Sequence, residues 1–251
     1  MTQFLKTTQI AIDGARTLPR RYYVASELFA EEGQKIFSQR WLCVGREDRL
    51  RTPGDYFLQQ VGVESIIVLR DQTGTVRAYY NVCRHRGTRL CEEHSGQFSG
   101  TIQCPYHAWT YALDGRLIGA PSAAEIEGFT KADYPLHPVA ITSWEGFLFI
   151  NLSEAPEPFE LAYESLVGRF SRFNLAQLVV SRTIEYDVHA NWKLLFQNYS
   201  ECYHCGPVHP PLAKLTPPTS GENDLVGGPV TGGYMVINAG HQSLTMSGRS
   251  C

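Results

Sequence analysis

Cys83-Arg84-His85 and Cys104-Pro105-Tyr106-His107 each offer one thiol and one imidazole within a few residues. Thiolates and neutral imidazoles ligate metals, and residues 86–103 leave enough chain for two loops to meet around one centre. A two-iron cluster with mixed ligation takes its cysteines on one iron and its histidines on the other. That ligation raises its potential to roughly −150 to +300 mV, a range suited to relaying single electrons. A structural zinc ion is the alternative, since two Cys and two His also satisfy tetrahedral Zn²⁺. Zinc fingers usually pair Cys with Cys and His with His, whereas each run here mixes the two, which favours the cluster. Gly87 and Pro105 fit tight loops, and Trp109 just beyond fits an apolar cover.

A second set lies within residues 198–209, which read Asn-Tyr-Ser-Glu-Cys-Tyr-His-Cys-Gly-Pro-Val-His. Glu201 and His204 are three apart and share a face of the helix expected there. His209 would point elsewhere on a continuous helix, and the Gly206-Pro207 break lets it fold back. Two converging histidines with a carboxylate elsewhere are the parts of a mononuclear iron site whose open positions take O₂ and substrate. Glu201-x-x-His204 is also half of a di-iron motif, but no second copy is present. Cys202-x-x-Cys205 could be a redox dithiol. It lacks the preceding thioredoxin-like strand pattern, so packed thiols near the iron site are the expectation. His94, His137, His189 and His241 read as surface or core residues, with His189 and His241 kept as pocket candidates.

The elements that must hold these residues differ along the chain. Residues 26–40 read as a helix capped by Ser26. From Trp41 to Asn151, short β-rich pieces such as 65–70 and 146–151 alternate with turn signals at 71–74 and 114–115. This predicts a compact all-β domain with the Cys/His runs on loops between strands. Ala155-Pro156-Glu157-Pro158 is a plausible linker. Beyond it the pattern predicts a helix over 159–170, a strand over 179–188, a helix over 192–205 halted by Gly206-Pro207, and a Gly- and Pro-rich, mostly strand-like final stretch. The expected class is therefore α+β, divided into an N-terminal helical segment (1–40), the β domain (41–155) and the beginning of an α+β domain (156–251).

With 43% hydrophobic residues, the 251-residue chain can bury a substantial core. A formal charge of −3 without a basic tail argues against nucleic acid or anionic lipid as partner. Neither a signal-peptide pattern nor a membrane-spanning apolar run is present, so a cytoplasmic protein is expected. Seven cysteines are too few for a disulfide scaffold of this length.

Cys83-Arg84-His85-Arg86-Gly87 followed by Cys104-Pro105-Tyr106-His107-Ala108-Trp109-Thr110-Tyr111 resembles the Rieske domain of aromatic-ring-hydroxylating and related Rieske non-haem iron oxygenases. The likeness runs from about Pro19 to the end. In that family the second segment reads acidic-x-x-His-x₄-His, which Glu201, His204 and His209 match position by position. Glu rather than Asp at 201 is similar to the choline monooxygenase and betaine-demethylating branch. The resemblance implies a [2Fe–2S] cluster on Cys83, His85, Cys104 and His107, and mononuclear Fe²⁺ on His204 and His209. It also implies that Glu201 links the iron histidines to the neighbouring subunit's Rieske histidine. The implied partners are an NAD(P)H-dependent reductase, with or without a ferredoxin, together with O₂ and an aromatic or quaternary ammonium substrate. The implied assembly is a homotrimer or α₃β₃, and the implied reaction is ring hydroxylation or N-demethylation. The family's third iron ligand, an Asp, is expected beyond residue 251, so the chain reads as the N-terminal part of a longer subunit with poor activity alone. The alternative is an electron-transfer module, or a truncated non-catalytic fragment, that docks a partner.

Overall fold

The computed structural model describes residues 4–6, 16–123, 125–202, 204–224, 233–240 and 243. From the N-terminus the chain passes through strand β1 (Phe4–Lys6), helix α1 (Arg21–Val24) and helix α2 (Ser26–Glu32). A π-helical stretch follows at Gly33–Phe37. Ser26 is thus the first residue of its helix rather than a cap outside it. The chain divides into two compact units, one formed by residues 29–184 and the other by 1–28 with 185–251.

The 29–184 unit is built on antiparallel strands. They are β2 (Leu42–Arg46), β3 (Asp55–Val61), β4 (Glu64–Arg70), β5 (Val76–Tyr80), β6 (Ser95–Gln97), β7 (Thr101–Gln103), β8 (Thr110–Ala112), β9 (Leu117–Gly119), β10 (Pro138–Trp144) and β11 (Phe147–Asn151). A seven-stranded sheet has the order β2-β11-β10-β5-β4-β3-β6, and β7-β8-β9 form a smaller sheet. Strand β4 shows why this sheet has apolar material on both faces. Ile66 and Val68 enter one core with Leu50, Phe57, Leu148 and Ile150, while Ile67 and Leu69 enter the other with Tyr79, Ile102, Tyr111 and Leu136. All four β4 residues are fully buried. Each contributes roughly 1.5–3 kcal/mol by leaving water. The second core also contains Cys83, Cys104 and Trp109, so the first candidate site grows directly out of it.

The turn from β4 to β5 is organised by the buried Asp71. It accepts hydrogen bonds from the backbone N–H groups of Thr73 (2.8 Å) and Thr75 (3.0 Å) and pairs with Arg77. Beyond β11, an aromatic cluster of Trp41, Phe149 and Phe159 ties helix α3 (Phe159–Ala162) to the sheet, and Trp41 Nε1 donates to the Glu157 carbonyl at 2.9 Å.

The α3 helix is a single turn, not the 159–170 helix expected, and turns follow it. Residues 179–188 likewise run without the expected strand. Apolar β-branched residues make a strand only beside a partner with free ladder groups, and among the described residues no strand pairs with this segment.

In the other unit, β1 pairs with β12 (Glu222–Asp224), which pairs in turn with β13 (Gly233–Tyr234). Its helices are α4 (Trp192–Tyr199), α5 (Cys205–Val208) and α6 (Pro210–Leu215). Asn191 caps α4 by accepting from the Lys193 N–H at 3.1 Å.

Candidate metal centres

The two Cys/His runs occupy loops of matching construction, one leaving β5 and the other joining β7 to β8. In each, the cysteine carbonyl accepts from the N–H four residues on, Gly87 in one loop and Ala108 in the other, both at 3.0 Å. In each, the cysteine N–H donates to the carbonyl five residues on, Thr88 or Trp109, both at 2.8 Å. The fourth residue sits in the left-handed region in both, with φ of 73° at Gly87 and 55° at Ala108. Glycine meets this requirement freely and alanine does not. The base of the first loop is fastened by buried Asn81, whose Oδ1 accepts from the Leu90 and Cys91 N–H groups at 3.0 and 3.1 Å. Its Nδ2 donates to the Cys91 carbonyl at 2.7 Å.

This construction brings all four expected ligands together. Cys83 and Cys104 are buried and adjacent, while the His85 and His107 rings lie 4.8 Å apart at 68°, toward the surface. His107 Nδ1 is buried with no hydrogen-bond partner in the protein, an arrangement that a metal bond would satisfy. The sorting of thiols to one side and imidazoles to the other suits a two-iron cluster. Zinc would instead need all four donors converging on one ion. Trp109 stacks on His85 at 4.9 Å, and Phe129 and Tyr134 pack on Trp109, forming one wall of a half-open cavity against the histidines.

Tyr111 is the residue that sequence reasoning missed here. Its hydroxyl lies 3.3 Å from Cys83 Sγ and accepts from the Arg84 N–H at 3.0 Å. Burial raises its pKa, so the phenol keeps its proton and can donate it to a thiolate.

The second set assembles differently from expectation. Helix α4 ends at Tyr199, so Glu201 and His204 meet on a turn rather than along a helix face. They are nonetheless bonded, His204 Nδ1 to Glu201 Oε1, at 2.8 Å. The His209 ring lies 5.4 Å from that of His204, at 76°. Gly206-Pro207 does not make the break. Pro207 sits inside α5, where the first turn needs no N–H from it, and the chain turns at His209. Pro210 disfavours helical backbone at His209 and begins α6. Cys202 and Cys205, expected as packed thiols, form a disulfide, with their Cα atoms 5.0 Å apart and within bridging range.

The profile of the Rieske [2Fe-2S] domain matches residues 40–131, and that of the ring hydroxylating alpha subunit catalytic domain matches residues 175–250. The chain belongs to the Rieske non-haem iron oxygenases. Among curated relatives, it is 39% identical to the carnitine monooxygenase oxygenase subunit of Acinetobacter baumannii, over 80% of this chain and 54% of that protein. It is also 39% identical to the glycine betaine monooxygenase oxygenase subunit of Chromohalobacter salexigens, over 79% of this chain and 44% of that protein. A solved quaternary ammonium Rieske monooxygenase superposes with a TM-score of 0.76 at 33% identity, covering 82% of this chain and 59% of that one. The chain thus spans about half the length of the curated relatives it matches. The cofactors of a Rieske oxygenase are a [2Fe–2S] cluster and mononuclear iron.

His94 and His189 are exposed, His189 lying 3.9 Å from Asp187. His137 Nδ1 contacts the Arg84 guanidinium at 3.1 Å, and His241 lies outside the described residues. No helix among the described residues is long and apolar enough to cross a membrane.

Proposed function

We propose that the chain is the oxygenase component of a Rieske monooxygenase that oxidises a quaternary ammonium substrate at an N-methyl or C–N position. An NAD(P)H-dependent reductase would supply its electrons. The observation that carries this reading is the Glu201–His204 bond beside His209, a pre-set pair of imidazoles in the ring-hydroxylating part of the chain. Cys83 and Cys104 would hold one iron of the cluster and His85 and His107 the other, while His204 and His209 would hold the single Fe²⁺. When bound, the cluster supplies one-electron storage and the single iron supplies O₂ activation.

The chain's own residues set the terms for both. Glu201, as a carboxylate, accepts from His204 Nδ1–H and so fixes the tautomer that leaves Nε2 as the free donor toward iron. Tyr111 hydrogen-bonds the Cys83 sulfur and holds the Arg84 backbone, joining the two ligand loops. Glu201 is further assigned the link to a neighbouring subunit's cluster histidine, within a homotrimer or α₃β₃ assembly. The substrate class rests on the relatives named for carnitine and glycine betaine. The division into an N-terminal segment (1–40), a Rieske domain (41–155) and a catalytic portion (156–251) belongs to the same proposal.

The test is turnover by the protein translated from the full reading frame, supplied with reductase, O₂, and methyl-labelled carnitine or glycine betaine, with an aromatic acid for comparison. Expected are labelled one-carbon or cleavage products from the quaternary compounds, reduced roughly 10–100-fold in Glu201→Gln, as loss of a ligand-orienting carboxylate implies. Turnover of the aromatic acid alone would reverse the substrate assignment. Equal turnover by Glu201→Gln would remove Glu201 from the mechanism.

A further inference from the structure

We propose that Cys202 and Cys205 are a two-electron redox clamp on the loop that presents His204, the disulfide holding His204 in its Glu201-bonded pose and the dithiol releasing it. The proposal rests on reading His204 and His209 as iron ligands. It arises from where the disulfide lies. His204 is inside the four-residue ring that the Cys202–Cys205 bond closes, and Glu201 immediately precedes that ring. The described residues of this stretch, 200–202 and 204, fall between α4, which ends at Tyr199, and α5, which starts at Cys205, and belong to neither helix. The turn carries a backbone bond from the Cys205 N–H to the Cys202 carbonyl at 3.0 Å.

Burial divides this turn into a buried end and a partly exposed one. Cys205 is 3% exposed, whereas the side chains of His204 and Glu201 retain 23% and 44% of their exposure. The disulfide therefore ties the exposed, ligand-bearing side of the turn to a fixed point. Without it, the 2.8 Å Glu201–His204 contact is an ion-pair-type bond between two partly solvated side chains, which hold one another weakly. The orienting carboxylate then loses its grip on the imidazole, and iron should be held less well.

The chemistry balances with a peroxide as oxidant. One thiol sulfur attacks a peroxide oxygen as the O–O bond breaks. The second thiol then displaces hydroxide from the resulting sulfenic acid, forming the Sγ–Sγ bond. Two thiol protons and two electrons leave with the oxygens, and hydrogen peroxide departs as two waters. A dithiol reductant reverses the step by exchange and ends as its own disulfide.

The test treats the full chain either with one equivalent of peroxide or with a dithiol, removes the reagent, and only then loads the chain anaerobically with Fe²⁺. Thiols in the peptide spanning residues 202–205 are counted by alkylation and mass spectrometry. Release of iron to a ferrous chelator is then timed, with the cluster's absorbance monitored so that only the mononuclear iron is scored. Expected is a blocked cysteine pair after peroxide, two alkylated cysteines after dithiol, and release roughly tenfold faster from the reduced form. Cys202→Ser/Cys205→Ser should release iron at the reduced-form rate under both treatments. His204→Ala separates the two levels of the argument. If it retains mononuclear iron, the ligand reading itself fails. If it loses iron while oxidised and reduced wild type release at one rate, or if peroxide leaves both cysteines alkylatable, the clamp alone is overturned.

Discussion

At the scale of single residues, the cluster site depends on side chains that never touch the substrate. A hydrogen bond to a ligating sulfur favours the reduced cluster, because the added electron increases the charge on the sulfur. Tyr111 supplies such a bond to Cys83 at 3.3 Å, and its burial keeps the phenol protonated. Tyr111→Phe should therefore lower the midpoint potential by roughly 20–60 mV, the one-electron equivalent of a typical net hydrogen bond. Spectroelectrochemical titration would show it, and an unchanged or raised potential would remove Tyr111 from that role. That Cys83 would lie beside Cys104, His85 beside His107 and His204 near His209 was legible from residue type and spacing, since few chemistries need those types so close together. The role of Tyr111 was not, because within the run 104–111 it reads as one more aromatic residue. Its position over Cys83 exists only after β8 has packed against the first ligand loop.

At the scale of elements, two loops with the same hydrogen-bond plan carry the proposed cluster ligands, and the first is fastened at its base. Asn81 makes three bonds to the far end of the first loop from a buried position. Asn81→Leu would leave the Leu90 N–H buried without an acceptor, an omission that costs about 1–3 kcal/mol. Chemical denaturation should show a loss of at least that size, with early release of cluster iron. Retention of full stability would mean that the loop is held by something else. The β elements were legible because their alternation and turn residues reflect local chemistry, as at Asp71 to Gly74. The helix boundaries near His204 were not. Nothing in the residue types marks the end of α4 at Tyr199, and Gly206-Pro207 looked like a stop although Pro207 is accommodated in the first turn of α5. The working break is His209-Pro210, where the restriction that proline places on the preceding residue turns the second histidine toward the first.

At the scale of the whole molecule, two compact units each carry one of the two proposed metal-binding sets. The Rieske unit is a two-faced β structure whose core runs up to the cysteines, so cluster retention should follow the folding of that unit. The second set stands on turns and short helices, and α4 presents Leu195, Phe196 and Tyr199 to the surface at 49%, 61% and 92% exposure. Those turns fix less of the site by packing, which is why the Glu201 bond and the disulfide matter there. The central claim is that one chain holds a Rieske cluster and a separate mononuclear iron through the residues named. The most direct measurement is iron and zinc analysis with electron paramagnetic resonance on anaerobically purified, dithionite-reduced wild type, His107→Ala and His204→Ala. Expected is a Rieske-type signal in wild type that disappears in His107→Ala, and in His204→Ala an intact signal with the additional iron lost. A silent, zinc-loaded wild type, or a Rieske signal that survives His107→Ala, would contradict it.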